Sequence, residues 1–293
     1  MLRTTKIIIC LVVFFPAVSV HASSILYGAS SNLSIIDPST AEATVVGSLG
    51  GGIHLSGLTW DSSTNTLYGV DASGNNLYTV NTSTGAETLV GGYDLGVPGA
   101  GLTGLAYNSA VDTLYGFSGV GSGGTLQLYE LNRATGAATL VPNFPTSVNL
   151  GNLTFDSSTN KLLGIVNFSS DPLNPNFGLV EYDPFDELNP IQAIGFLGNP
   201  NNFERIDGLA YDPFTDQLFA DARINSSVQQ LLTIDRTTGA ATIVGDLASG
   251  GIASPDFRSL AFVPAAAVVP VPAALWLFGS ALGLLGWMRR KKA

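Results

Sequence analysis

GLTWDSSTNTLYGVDASGNNLYTVNTSTGAETLVG, running from Gly57 to Gly91, decides the fold. Four short runs in it, Gly57–Asp61, Thr66–Asp71, Asn76–Asn81 and Ala86–Val90, carry β-branched or aromatic residues in partial alternation. Each gap holds Ser, Thr, Asn, Asp or Gly, so the stretch reads as four strands joined by tight turns. The pattern returns as GLAYNSAVDTLYG (Gly104–Gly116), LTFDSSTNKLLG (Leu153–Gly164) and GLAYDPFTDQLFA (Gly208–Ala220). A four-stranded unit recurring at this period is the signature of radial blades.

The register of the repeats fixes the number of blades and the way they close. Inner-strand aromatics fall at Trp60, Tyr107, Phe155, Tyr211 and Phe262, and second strands at Leu26-Tyr27-Gly28, Leu67-Tyr68-Gly69, Leu114-Tyr115-Gly116, Leu162-Leu163-Gly164 and Leu218-Phe219-Ala220. The first second-strand has no inner strand before it, and the last inner strand, Ser259–Val263, has no partner after it. Joining these leftovers completes one blade from Ile25–Gly28, Leu33–Asp37, Ala43–Gly47 and Ser259–Val263, and removes two open sheet edges. The expectation is an all-β chain: a five-bladed β-propeller of about twenty strands over 23–263, closed by strand exchange between its ends.

Two classes of connecting turn repeat with fixed length. Asp61-Ser-Ser-Thr-Asn65, Asn108-Ser-Ala-Val-Asp112, Asp156-Ser-Ser-Thr-Asn160 and Asp212-Pro-Phe-Thr-Asp216 join first to second strands. Asp37-Pro-Ser-Thr-Ala41, Asn81-Thr-Ser-Thr-Gly85, Asn132-Arg-Ala-Thr-Gly136 and Asp235-Arg-Thr-Thr-Gly239 join third to fourth. An opening Asp or Asn accepts backbone N–H bonds, and a closing Gly tolerates positive φ. The order of a calcium loop, Asp-x-[Asp/Asn]-x-[Asp/Asn]-Gly with a following Glu, is missing, so these are hairpin turns.

In an up-and-down blade both classes lie at one end of the toroid, and the long irregular loops lie at the other. Variable loops on a rigid scaffold are where binding usually sits. The expected ligand face gathers His54, Tyr93, Asp94, Phe117, Phe168, Asp171, Phe203, Glu204, Arg205, Asp221, Arg223 and Phe257, with exposed aromatics stacking on sugar rings and acids accepting hydroxyls. The competing reading is that these loops merely pack over a narrow channel.

Composition excludes several classes of function. Between its ends the chain carries 22 acidic and six basic residues, a formal −16, the wrong sign for a nucleic-acid partner. His54 is the only histidine outside the first 22 residues, and there is no Gly-x-Ser-x-Gly elbow, P-loop or dinucleotide fingerprint. No catalytic, cofactor-binding or metal-binding residue is assigned, and the chain reads as a binding protein rather than an enzyme. Glycoside hydrolysis needs only two carboxylates, so a secreted glycan-active hydrolase drawing on Asp71, Asp94, Glu204, Asp207 and Asp221 is the alternative, and a ligandless matrix component is a third reading.

The chain ends carry delivery signals. Arg3 and Lys6 precede the apolar run Ile7–Val18, and Val20-His21-Ala22 offers small residues to a signal peptidase, so 1–22 reads as a signal peptide cut between Ala22 and Ser23. Cys10, the only cysteine, lies in the middle of the apolar run, not at its end as a lipid attachment requires. At the other end, 264–272 is a proline-rich linker, Ala273–Met288 is an apolar segment with Trp276 and Trp287 near its ends, and Arg289, Arg290, Lys291 and Lys292 follow in the tail 289–293. Sixteen helical residues rise ~24 Å, enough for a thin or locally deformed bilayer, and the basic cluster places the C-terminus in the cytoplasm.

This tripartite tail resembles the PEP-CTERM sorting signal of Gram-negative bacteria. The motif stands as Val269-Pro270-Val271-Pro272, followed by Ala273-Ala274-Leu275-Trp276-Leu277-Phe278-Gly279-Ser280, with Val271 where the family's name implies Glu. The resemblance implies an exosortase as partner, removal of the tail, and release or attachment at the surface, often in cells that make exopolysaccharide and biofilm. The body resembles exported bacterial repeat propellers with Gly-Leu-Ala-Tyr-Asp and Leu-Tyr-Gly strands, a likeness that carries no activity.

Overall fold

Asp, Asn and Gly punctuate the chain wherever its backbone must reverse, and the strands form between them. The computed structural model describes residues 23–265 except 97–98, 120–126, 143, 145–149, 168–175, 184–185, 187–189, 199–202, 226–227, 250–251 and 254–255. The expected signal peptide through Ala22, the sorting motif and the membrane span therefore lie outside the described residues, as do Phe168 and Asp171.

Ser24–Pro264 is one unit, a five-bladed propeller. Blade I begins with β1 (Ser24–Ala29), β2 (Asn32–Ile36) and β3 (Glu42–Ser48). Blade II is β4 (Gly57–Asp61), β5 (Thr66–Asp71), β6 (Asn76–Val80) and β7 (Glu87–Gly92). Blade III is β8 (Gly101–Asn108), β9 (Thr113–Gly119), β10 (Gln127–Leu131) and β11 (Ala138–Leu140). Blade IV is β12 (Leu150–Asp156), β13 (Lys161–Asn167), β14 (Phe177–Tyr182) and β15 (Ile191–Phe196). Blade V is β16 (Arg205–Asp212), β17 (Gln217–Asn225), β18 (Val228–Ile234) and β19 (Ala241–Asp246). The chain then passes through two-residue strands β20 (Ala248–Ser249) and β21 (Ile252–Ala253), and ends in β22 (Ser259–Pro264).

Closure follows the leftover-strand argument. β22 pairs antiparallel with β1 from Ala29↔Ser259 to Ser24↔Pro264, giving blade I its inner strand. The connection leaving blade V also adds an edge that the sequence did not announce: β20 pairs parallel with β3, Ala248 opposite Glu42.

The glycines of the repeat have three separate steric jobs. In the Leu-Tyr-Gly strands, a Cβ on Gly28, Gly69 or Gly116 would sit 2.7–2.9 Å from Phe257, Leu55 or Leu102, the apolar plug entering from the neighbouring loop or strand. On the inner strands, a Cβ on Gly57 or Gly104 would meet the backbone of the next inner strand at about 3 Å. The five inner strands thus approach one another closely around the axis. On the outer strands, a bulge repeats just before Gly47, Gly91, Gly195 and Gly245. There the first three of these press on the third-to-fourth turn of the next blade, at Gly85, Gly136 and Gly239.

The described core lies in five packets, one between each pair of neighbouring blades. Both faces of every blade are therefore covered.

Candidate functional site

The two ends of the toroid differ as the turn classes require. At the regular end the turn-closing residues adopt positive φ: Asn65, Asp112, Asn160 and Asp216 in one class, Ala41, Gly85, Gly136 and Gly239 in the other. Asp61 caps its own turn, accepting from the Ser63 N–H and Oγ at 2.8 Å and the Thr64 Oγ1 at 2.8 Å. Arg133, from the third-to-fourth turn of blade III, reaches back to Asp61 and lies 2.9 Å from Asp112 Oδ1. Its guanidinium also sits 5.5 Å from the Tyr107 ring. Arg236 repeats this between blades IV and V, binding Asp156, Asp216 and the Ser158 Oγ while stacking on Tyr211 at 5.0 Å. These are inter-blade rivets, and their shared contacts confirm that both turn classes lie at one end. Burial pushes the Asp61 carboxyl up, but Arg133 and the turn hydroxyls outweigh it and hold the group down at about 2.

At the loop-rich end the expected ligand face divides, and its aromatic half is corrected. Tyr93, Phe117, Phe203 and Phe257 are buried core residues, not exposed stacking platforms. They fill the packets between blades because a propeller strand is covered on both faces, so loop-proximal aromatics turn inward. The Tyr93 hydroxyl donates to the Asp71 carbonyl at 2.9 Å, and burial pushes its pKa up. His54 and Asp94 are exposed, and Asp94 caps the Gly96 N–H at 2.9 Å. Asp71 is buried and caps the Ser73 N–H at 2.8 Å.

The charged half does converge. Arg205 and Asp207 begin β16, Asp221 and Arg223 lie opposite them on β17, and Asp256 and Arg258 precede β22. Arg205 Nε is 2.5 Å from Asp207 Oδ1, Arg223 pairs with Asp256, and Arg258 Nη2 is 3.1 Å from Asp256 Oδ2. Arg205 and Arg258 remain about half exposed, at 47% and 46%. Glu204 is exposed beside them, its N–H donating to the Arg223 carbonyl at 2.8 Å.

Beneath this platform Gln229, fully buried, staples the closing segment to blade V. Its Oε1 accepts from the Phe257 N–H at 2.9 Å, and its Nε2 donates to the Phe257 carbonyl at 2.8 Å and to Asp221 Oδ2 at 3.2 Å. Asp256, Arg258 and Gln229 were not singled out from sequence. The strand-exchange closure was the signal that could have found two of them, because it sets the residues before Ser259 beside Arg205.

Asp221 is sealed from solvent, its Oδ2 held by Gln229 and its carboxyl set against the Gly208 backbone. Burial first, then repulsion from Asp207, drives its pKa well above the ordinary carboxylate range, and burial also raises Asp207. A raised folded-state pKa means that the stabilising protonated form is complete below the unfolded value and is lost as pH rises through the folded one. Asp221→Asn, whose amide oxygen can still accept from Gln229, is therefore expected to raise stability at pH 8 and to flatten its pH dependence. Urea unfolding of both proteins at pH 5 and pH 8 checks this, and a loss of stability at pH 8 would contradict it.

No protein-family model matches the chain, and no curated protein matches it. Solved structures similar to it include the PQQ-bound aldose sugar dehydrogenase of Streptomyces coelicolor, 18% identical over 60% of this chain and 58% of that one, TM-score 0.39. The nidogen/laminin complex is 11% identical over 82% of this chain and 98% of its own, TM-score 0.49. TolB of Acinetobacter baumannii is 14% identical over 75% of this chain and 52% of its own, TM-score 0.45. This chain thus spans little more than half the length of the dehydrogenase and of TolB. Enzymes and non-enzymes both stand among these neighbours, and likeness at this level carries no activity to this chain.

Proposed function

We propose that this chain is an exported interaction module, released from its signal peptide by signal peptidase and sorted by an exosortase to the cell surface or matrix. Its loop-rich end holds a carbohydrate or protein partner. The observation that carries the binding reading is the Arg205–Arg258 platform: two half-exposed guanidiniums braced from below by Asp207, Arg223 and Asp256 across the junction that closes the ring. Guanidiniums tied by ion pairs to a largely buried Asp207 and a half-exposed Asp256 present their remaining N–H donors to carboxylate or hydroxyl oxygens. Ser24 and Pro264, which pair at the regular-turn end, bring the propeller's two termini out away from this platform.

Of the five hydrolase candidates, Asp207 and Asp221 lie near enough to repel each other, Asp94 and Glu204 are exposed, and Asp71 caps a turn. A general acid must reach the glycosidic oxygen, and the sealed Asp221 does not. Binding without turnover is therefore the reading. Cosedimentation of the protein with the exopolysaccharide of its own cells tests it. The Arg205→Gln/Arg258→Gln double variant is expected to bind about tenfold more weakly, and wild-type binding to weaken with added salt. Unchanged binding by the double variant would contradict the platform, and no binding by either form would favour a ligandless matrix component.

A further inference from the structure

An exposed aromatic, Phe214, also stands at the end opposite the one where sequence placed the ligand face. At the regular-turn end the axial channel opens into a cavity of about 260 Å³, near the lower edge of volumes that hold small ligands. Its wall is built from the repeat itself. The aromatic that ends each inner strand lines it, from Trp60 to Phe262, and two residues further on stands Ser62, Ser109, Ser157, Pro213 or Pro264.

Three features specify what could occupy this mouth. Among the described residues no charged side chain lines it, in a chain whose body is strongly acidic. Ser62, Ser109 and Ser157 are exposed on three successive blades, and their hydroxyls make no hydrogen bond within the described residues. Two aromatics are open to a ligand from opposite sides: half-buried Trp60 on blade II and Phe214 on blade V, 44% exposed at the rim. The Trp60 indole Nε1–H, shielded from solvent, has no acceptor among the described residues.

By contrast, Tyr107 and Tyr211 are buried in the wall, their hydroxyls committed to Asp112 and Asp216 at 2.7 and 2.6 Å and an arginine over each ring, so the open ring surface is that of Trp60 and Phe214. Apolar ring faces, uncommitted neutral hydroxyls and an absence of charge together match a flat, hydroxyl-bearing, uncharged molecule.

We infer that the channel mouth is a binding site for a neutral sugar ring, free or at the end of a glycan. This site is separate from the Arg205–Arg258 platform. It goes beyond the surface-module reading, and either can fail alone.

Saturation-transfer NMR on the full chain, held in a phosphocholine detergent so that no glycosidic headgroup competes, tests it. The probes are glucose, galactose, mannose and N-acetylglucosamine, with glucuronate as the charged counterpart. The expected result is transfer to ring protons of at least one neutral sugar, stronger than to glucuronate. It should weaken about tenfold in Phe214→Ala, an exposed substitution that leaves thermal stability unchanged, and persist in Arg258→Gln. No transfer from any neutral sugar, or transfer unaffected by Phe214→Ala, would overturn the inference. Transfer lost only in Arg258→Gln would also overturn it, by moving the sugar to the platform.

Discussion

Arg133→Ala is expected to lower the free energy of unfolding by about 3 kcal/mol, the low end of the range for orphaning a buried charge, because water can follow the departing guanidinium. The loss comes from the partner left behind. Asp61 is fully buried at the blade II–III junction, and Arg133 is the cation that balances it. Asp61→Asn/Arg133→Ala, which removes both charges and keeps the turn cap, should recover much of the loss. The pair also sets an acid limb. A carboxyl lowered from 3.8 to about 2 contributes stability that is present above the unfolded pKa and is lost as pH falls through the folded one. Urea unfolding at pH 7 and pH 3 should therefore show a wild-type loss that shrinks in the double variant. A change below about 1 kcal/mol for Arg133→Ala would make the contact an ordinary surface ion pair.

Gly91→Ala is expected to cost about 3 kcal/mol or more, while Gly92→Ala, one residue along the same strand, should be nearly neutral. A Cβ at Gly91 would sit 2.0 Å from the Thr135 carbonyl oxygen, backbone of the next blade that cannot rotate away. At Gly92 the nearest atoms stand at 3.6 Å, ordinary contact. Because neither glycine requires positive φ, the difference isolates steric fit at the bulge that docks one blade on the next. Thermal melts of the two variants make the comparison, and equal melting temperatures would show that the bulge contact is not a fixed part of the blade junction.

The fold was legible because its determinants are local. Asp61-Ser-Ser-Thr-Asn65 encodes its own turn, with a carboxylate cap at one end and positive φ at the other, and each such turn fixes the strands on either side. The closure of β22 on β1 followed from counting strands. Exposure was not legible, because it depends on the neighbouring blade. Phe117 and Phe203 adjoin polar loops, yet both complete packets between blades, whereas Phe214, inside a turn that reads as pure scaffold, stands open at the channel rim. Charge fared better than aromaticity: Arg205, Asp207, Asp221 and Arg223 come together because β16 and β17 pair, and that pairing was in the repeat. Asp256 and Arg258 join them only through the ring closure, a contact between segments far apart in sequence from blade I's other strands.

Intact-mass analysis of the protein recovered from cell envelope and medium, in cells with and without their exosortase, tests the surface-module account most directly. The account predicts a product beginning at Ser23 and ending near Pro270, formed only when the exosortase is present and lost in the Pro270→Ala/Pro272→Ala variant. A product that keeps Arg289 to Lys292 in both strains, or normal processing of that variant, would contradict it.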